Sequence, residues 1–181
     1  MKLSYAIPVK DELLEITKLL NFLIKNKDDE DEIVILFDSE NGSKGVMKNH
    51  LTSLCSGDWI VQLDADEMIG DQFIPWVKGS IEANPEVHAF YVPRINTVEG
   101  LTNEHIQKWK WNVNEKGWVN FPDLQQRIYV NSGVVKWKNK VHEVLEGNDF
   151  FGIFPNHEEI CILHHKDVKR QEKQNNYYDT L

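Results

Sequence analysis

The chain has 181 residues, with 29 acidic and 20 basic side chains and a net charge of −9. This length fits one domain of ordinary size, and the 41% of hydrophobic residues favours a buried core over a disordered chain. Proteins that bind nucleic acid present a basic face, so the acidic balance argues against that class.

The two cysteines, Cys55 and Cys161, are too few for a disulfide framework and cannot by themselves form a structural zinc site. We expect two ordinary thiols in a reducing compartment. The segment 1–14 becomes acidic before a signal-like apolar stretch develops, and no run approaches the roughly 20 apolar residues of a membrane span. The expected location is the cytoplasm.

The first 65 residues alternate between two hydrophobic patterns. Near-continuous apolar runs predict buried strands at 3–9, 33–37 and 59–63, and helical spacing predicts helices at 11–26 and 44–55. Alternating strands and helices are typical of βαβ units, so we expect a parallel sheet covered on both faces.

The second half has a weaker pattern, and residues 96–118 show no clear period. The predicted elements are a helix at 72–83, a strand at 88–95, a hairpin of 127–130 with 134–137, a short strand at 160–163 and a helical tail. The hairpin prediction rests on the turn residues Asn131 to Gly133 between two strand-like runs.

Acidic residues follow each predicted parallel strand, at 8–12, 38–40 and 64–67. In such sheets ligands bind beyond the carboxyl ends of the strands. The third segment has a DXD pattern, Asp64 and Asp66, and Mn²⁺ or Mg²⁺ is usually held by one or two carboxylates plus substrate phosphates. An acidic turn without a ligand is the alternative for this motif alone.

Several segments together resemble the inverting family 2 glycosyltransferases, most closely the branch that adds sugars to lipopolysaccharide cores and related glycans. The matching segments, in family order, are PVKDE (8–12), ILFDSE (35–40), GDWIVQLDADE (57–67), YVPRIN (91–96), GWVNFPDLQQRIYV (117–130), VKWKNKVHEVLEG (135–147) and ILHHKDVKRQEKQNNYY (162–178). The resemblance covers nearly the whole chain, as a member of minimal length.

The resemblance implies a GT-A fold, a Rossmann-like α/β domain with a mixed, mainly parallel central sheet. A single domain would span 1–181, with a nucleotide-sugar-binding half (1–70), an acceptor and catalytic half (71–165) and a helical tail (166–181). It also implies a nucleotide-diphospho-sugar donor, expected to be a UDP-sugar, and Mn²⁺ or Mg²⁺. The acceptor would be a glycan or lipid-linked glycan, with membrane contact only through that acceptor.

Residue roles carry over by position in the matching segments. The resemblance places seven residues at the nucleotide sugar: Pro8, Val9, Glu12, Asp38, Lys48, Asp64 and Arg94. It makes Asp66 and His142 the metal ligands, and His164 and His165 are the rivals of His142. Glu67, the last acid of the motif, receives no role.

Inverting transfer also needs a base for the acceptor hydroxyl. The resemblance assigns this role to Asp123, although Pro-Asp before a helical run would equally suit a helix N-cap. The acceptor contacts it suggests are Trp109, Trp111, Trp118 and Arg127; indole rings stack well on sugar rings, and core packing is the alternative for each.

Two features depart from the family pattern: Asp11 stands where relatives have Asn, and the segment 39–50 is short, which removes part of the cover over the nucleotide. A haloacid dehalogenase-type phosphohydrolase is a rival, but its motif lies near the N-terminus, with Thr or Val where Met68 stands. A degenerate glycan- or nucleotide-binding module of the same fold is the second rival.

Overall fold

The computed structural model describes residues 1–37, 43–139, 143–147 and 149–178. Two predicted site residues, Asp38 and His142, lie outside these ranges. The described strands are β1 Leu3–Val9, β2 Glu32–Phe37, β3 Trp59–Gln62, β4 Glu67–Met68, β5 Ala89–Glu99, β6 Val119–Val130, β7 Lys136–Lys138, β8 Val144–Glu146, β9 Phe151–Ile153 and β10 Ile162–Asp167. The helices are α1 Leu13–Asn26, α2 Lys44–Ser53, α3 Phe73–Ala83, α4 Asn103–Trp109 and α5 Val168–Tyr178, with a 3-10 turn at Glu158–Ile160.

Within the described ranges, eight strands form one mixed sheet in the order β2-β1-β3-β6-β5-β10-β4, with β9 beside β5. Strand β1 pairs in parallel with β2 and β3, and α1 and α2 are the crossovers, which confirms the predicted βαβ units. This mixed α/β architecture confirms the predicted fold class.

Helices cover both faces of the parallel strands, which explains their near-continuous apolar runs. Alternate side chains of β1 and β3 pack with α1 and α3, and the others pack with α2 and the β7–β8 pair. On α2, Leu51 is buried, whereas Val46 and Leu54 are exposed. Leu13, in the first turn of α1, is likewise exposed.

Strand β6 departs from the sequence prediction. It runs antiparallel to both β3 and β5, so its two edges are occupied and none remains for 134–137. The predicted hairpin was therefore wrong, and β7 pairs instead with β8 in a separate two-stranded sheet. Asp123 lies within β6, opposite Arg94 of β5, so the helix N-cap alternative is also wrong.

The acidic motif lies between β3 and β4. Strand β4 pairs antiparallel with β10 at the edge of the sheet, and Glu67 lies opposite His164. The intervening residues pass from β3 to β10, across the part of β6 that extends beyond β3. This path brings side chains from four strands to the motif.

Among the described residues, no helix is long and apolar enough to cross a membrane. Cys55 and Cys161 are free thiols, as predicted.

Candidate active site

A tight turn after β3 carries the three acids of the motif. The backbone N–H of Glu67 donates to the Asp64 carbonyl (2.9 Å), and the Glu67 carboxylate accepts from the Asp64 N–H (2.9 Å). The Glu67 side chain is fully buried, whereas those of Asp64 and Asp66 keep 36% and 11% exposure. The two aspartates can therefore meet a ligand, and Glu67 supports them from inside.

Glu67 joins two arginines into a chain of alternating charges. Its Oε1 accepts from Arg94 (2.9 Å) and from Arg127 (2.6 Å). Arg127 also donates to Asp64 Oδ2 (2.6 Å), and Arg94 donates through Nε and one terminal nitrogen to Asp123 Oδ2 (2.9 and 2.7 Å). The donor-side aspartate and the predicted base thus belong to one network.

The electrostatics of Asp64 follow from this network. Burial alone would raise the pKa of Asp64, but the Arg127 guanidinium and the Lys48 ammonium outweigh burial and hold the pKa far below its usual value. Burial would lower the pKa of Arg127, and its two carboxylate partners raise it instead. Asp64 is therefore a permanent anion at the end of β3.

Asp123 is half-buried and receives hydrogen bonds on both oxygens. Besides the two from Arg94, Oδ2 accepts one from Asn96 Nδ2 (2.8 Å), and Oδ1 accepts one from Gln125 Nε2 (2.6 Å). Burial raises the pKa of Asp123, but Arg94 and the two amides lower it below its ordinary value. Asp123 is thus ionised at neutral pH and can accept a proton, although its basicity is modest.

Asn96 also sets the hydrogen-bonding role of His164 Nδ1. Because its Nδ2 donates to Asp123, its Oδ1 faces His164 Nδ1 at 2.7 Å, so that ring nitrogen must be the donor. His164 Nε2 is then directed at Asp66 Oδ2, 3.3 Å away. His165, the second rival for the metal, is 65% exposed and bonds Thr97 instead.

Arg170 of α5 binds the carboxylate predicted to hold the metal. Its NH2 lies 3.0 Å from Asp66 Oδ2 and 3.2 Å from Glu12 Oε1, and its NH1 lies 3.4 Å from Glu15 Oε1. Burial would raise the pKa of Asp66, but His164 and Arg170 keep it lowered. The arginine therefore connects the tail helix with the nucleotide side and with the motif.

The carboxylate and the imidazole at Asp66 suit a divalent cation whose other ligands are oxygen atoms of a substrate. In the described ranges, no three His, Cys, Asp or Glu side chains gather as a complete metal site. One carboxylate and one imidazole meet there, and Mg²⁺ or Mn²⁺ commonly takes few protein ligands plus substrate phosphates. Asp66 and His164 therefore fit the implied metal, and His142 lies outside the described residues.

The predicted nucleotide residues near the start of the chain lie at the end of β1 and at the N-cap of α1. Val9 is buried, Pro8 is half-buried, and the Glu12 carboxylate organises the turn by accepting from the backbone N–H groups of Lys10 (3.0 Å) and Asp11 (3.2 Å). Glu12 is therefore held from two sides, because its other oxygen binds Arg170.

Lys48 is a buried cation on α2. Its Nζ lies 3.9 Å from Glu143 Oε2 and 4.3 Å from the centroid of the Trp137 ring. Burial lowers the pKa of Lys48 despite the nearby acids. The Glu143 side chain is only 13% exposed. Asn49 fixes α2 by bonding both backbone groups of Trp137 at 2.8 Å.

A cavity of about 200 Å³ is lined in part by Arg94 and Asn96, the residues that bind Asp123. Its lining consists of Arg94, Asn96, Thr97, Val98, Trp111, Val119, Asn120, His164, Lys166 and Gln171. Of the three predicted acceptor tryptophans, Trp111 lines this cavity and lies against Trp109, with ring centroids 4.6 Å apart and ring planes tilted by 51°. Trp118 packs edge-on against Phe121 instead.

The burial of Arg127 argues against its predicted role, whereas the role predicted for Arg94 stays a prediction. Arg127 was predicted as an acceptor contact, but it is 3% exposed and binds Asp64 and Glu67, so it supports the motif from below. Arg94 was assigned to the nucleotide sugar, and its guanidinium binds Glu67 and Asp123 while lining the cavity.

Sequence reasoning missed several supporting residues: Glu67, Asn96, Gln125 and Arg170. The signal for the first two was a polar side chain within a strand or directly after one. Nothing local in the sequence marks Arg170, since Glu12 lies 158 positions away.

Comparison with known proteins rests on structure. No protein-family model matches the chain, and no curated protein sequence matches it significantly. The fold is similar to S. aureus TarS 1-349 in complex with UDP-GlcNAc, with a TM-score of 0.63 and 14% identity over 92% of this chain and 59% of that one. The complex of TarS 1-349 with UDP gives a TM-score of 0.58 and 13% identity, covering 91% and 60%.

The likeness is one of fold. A longer TarS structure aligns with 97% of this chain but only 38% of its own, with a TM-score of 0.58 and 12% identity. This chain therefore spans less than two thirds of the length of these neighbours. The shared architecture is a GT-A type fold, which agrees with the predicted fold class.

Proposed function

We propose that the chain is a metal-dependent glycosyltransferase that moves a sugar, with inversion, from a UDP-sugar to a hydroxyl of a glycan or lipid-linked glycan. The observation that carries this proposal is the shared network of Asp64 and Asp123, beside Asp66, at the end of the parallel strands. The complexes of TarS with UDP-GlcNAc and UDP support the donor class.

On the donor side, Asp64 and Glu12 would contact the nucleotide sugar beyond β1 and β3. Asp66, with His164 or His142, would hold the cation. When bound, a divalent cation neutralises the charge that develops on a departing diphosphate. The Asp64 carboxylate is held in its ionised form by Arg127, so it can accept hydrogen bonds from sugar or ribose hydroxyls.

On the acceptor side, the cavity beside Asp123 would bind the sugar that carries the reacting hydroxyl. Trp111 offers an aromatic face, and Asn96, Asn120 and Gln171 offer hydrogen-bonding groups. The acceptor oxygen attacks the anomeric carbon as the bond to the diphosphate breaks. Its proton passes to Asp123, which Arg94 and Asn96 hold in place.

A direct test measures sugar transfer and donor hydrolysis with a panel of nucleotide sugars, with Mn²⁺ or Mg²⁺ and with a chelator. We expect activity with a UDP-sugar that the chelator removes, and a loss of at least about 100-fold in Asp66→Ala. The proposal fails if no nucleotide sugar binds or reacts, or if Asp66→Ala matches the wild type.

A nucleotide-binding module without turnover is the second candidate. It is favoured by the contacts of Asp66, whose Oδ2 already faces His164 and Arg170. The same panel separates the two functions, because a binding module would bind UDP and give no product with any donor or acceptor.

A further inference from the structure

Glu67 is the most buried charge of the site. Its side chain has no solvent exposure, and its partners Arg94 and Arg127 are 17% and 3% exposed. Burying a carboxylate between two guanidinium groups carries a large desolvation cost, so such a group is weak evidence for stability alone. The arrangement calls for another reason.

One branch of contacts leads from Glu67 to the donor side. Glu67 Oε2 accepts from the backbone N–H of Asp64, and Oε1 accepts from Arg127, which binds the Asp64 carboxylate. Both the backbone and the side chain of Asp64 are thus fixed from one carboxylate.

The other branch leads to the base. Arg94 donates to Glu67 through NH1 and to Asp123 through Nε and NH2. A guanidinium is planar and rigid, so fixing one edge fixes the direction of the carboxylate bound at the other. Glu67 therefore restrains the orientation of the Arg94 guanidinium, and the guanidinium in turn restrains the Asp123 carboxylate.

We propose that Glu67 is a positioning residue that sets the placement of Asp123 relative to Asp64, through Arg94 on one side and Arg127 on the other. This inference rests on the proposed glycosyltransferase function. Glu67 touches no substrate in this arrangement. It acts through two aspartates, Asp64 in the turn after β3 and Asp123 on β6, which are linked only through the two arginines in the described part of the chain.

Three variants separate the two branches. Glu67→Gln keeps the shape of the side chain and removes its charge, Arg94→Lys loosens the base branch, and Arg127→Lys loosens the donor branch. Loss of a group that orients catalytic residues typically costs about 10–100-fold in activity. We expect Arg94→Lys to lower kcat by that factor with an unchanged Kd for UDP.

Arg127→Lys should weaken UDP binding and raise the KM for the donor. Glu67→Gln should lower kcat and also weaken UDP binding. Because Glu67 acts on the base through Arg94, the double variant Glu67→Gln with Arg94→Lys should lose no more kcat than the larger single effect. Independent effects that multiply would contradict the inference.

Glu32→Gln is the matched control. Glu32 also accepts several hydrogen bonds. It lies at the N-terminal ends of β1 and β2, whereas the candidate site lies beyond the carboxyl ends of the parallel strands. Both glutamine variants should lower the melting temperature, and only Glu67→Gln should change kcat well below that temperature. Equal kcat values in the two variants and the wild type would overturn the inference. If Glu67→Gln does not fold, Arg94→Lys and Arg127→Lys together test the two branches, the first through kcat and the second through UDP binding.

A crystal structure of Glu67→Gln, or of Arg94→Lys, distinguishes failure of the inference from failure of the proposed function. A displacement of Asp123 or Asp64 beyond about 0.5 Å supports positioning even if the wild type transfers no sugar, in which case only the proposed function fails. Unmoved aspartates overturn the inference whatever the activity.

Discussion

At the scale of single residues, the three acids of the 64–67 motif differ in the side chains that they contact. Asp64 faces a guanidinium, Asp66 faces an imidazole and the tail arginine, and Glu67 is enclosed. From the DXD pattern, the sequence predicts roles in ligand binding for the first two, and these roles stay predictions. It could not predict the role of Glu67, because that role depends on arginines that lie 27 and 60 positions away.

Asn96 joins Asp123, the proposed base, to His164, a candidate metal ligand. Asn96→Asp places a second carboxylate beside Asp123 and removes the Nδ2–H donor. Like charges raise the pKa of one member of such a pair, so we expect transfer to fall by at least about 10-fold. The measurement is kcat against UDP affinity, with Asn112→Asp, at an exposed position, as the control. A full kcat in Asn96→Asp would show that Asp123 is not the base.

Glu32 gives a prediction for stability against pH. Burial alone would raise its pKa, but hydrogen bonds from Ser4, Ser56 and Lys2 lower it to about 2 from an ordinary 4.5. A lowered folded-state pKa means that the stabilisation is complete above pH 4.5 and is lost as the pH falls towards 2.

Because the carboxylate keeps some solvent contact, screening reduces this stabilisation to about 1 kcal/mol. Denaturant unfolding should show Glu32→Gln to be less stable than the wild type at pH 7 by this amount. The difference should disappear near pH 2. A constant difference across this range would mean that the variant acts through packing rather than through charge.

At the scale of secondary-structure elements, the predictions for the first half and for α3, the start of β5 and α5 agree with the structure, whereas those for β6 and the hairpin were wrong. Runs such as 59–63 contain their own evidence for a strand, because the sheet buries both faces. Strand β6 was read as a cap plus a hairpin, since Pro122 and Asn131 to Gly133 imitate local signals. Tertiary pairing with β3 and β5 decides its structure, and no local pattern encodes those partners.

Helix α5 carries a prediction of its own. Arg170 compensates Asp66 and Glu12, so a cation at Asp66 must compete with it. Arg170→Ala should therefore raise the affinity for Mn²⁺ in the absence of donor, by several-fold, as measured by calorimetric titration. Lys169→Ala, at an exposed position on the same helix, should leave that affinity unchanged. Weaker Mn²⁺ binding in Arg170→Ala would contradict competition.

At the scale of the whole molecule, the sheet brings the residues predicted for the nucleotide sugar and those predicted for the acceptor to one rim. Parallel strands β1 to β3 supply the first, and β5, β6 and β10 supply the second. The fold class and most candidate residues followed from the ordered segments. The contacts among those residues depend on the antiparallel pairing of β6 with β3 and β5, which the sequence did not predict.

Donor binding should stabilise the molecule as a whole. At 100 times Kd a ligand contributes about 2.7 kcal/mol, which for a chain of this size corresponds to a rise in Tm of about 5–10 °C. UDP with Mn²⁺ should produce such a shift in a thermal melt, and Asp66→Ala should reduce it. An unchanged Tm at saturating UDP would argue against a nucleotide site.

Strand β4 is only two residues long and lies at the edge of the sheet, yet it carries Glu67. Short edge pairings open at lower free energy than a central sheet, and opening here would leave the guanidinium groups of Arg94 and Arg127 without their shared anion. Heat inactivation should therefore precede melting. Brief incubation below the Tm would abolish catalysis reversibly while circular dichroism still reports an intact fold.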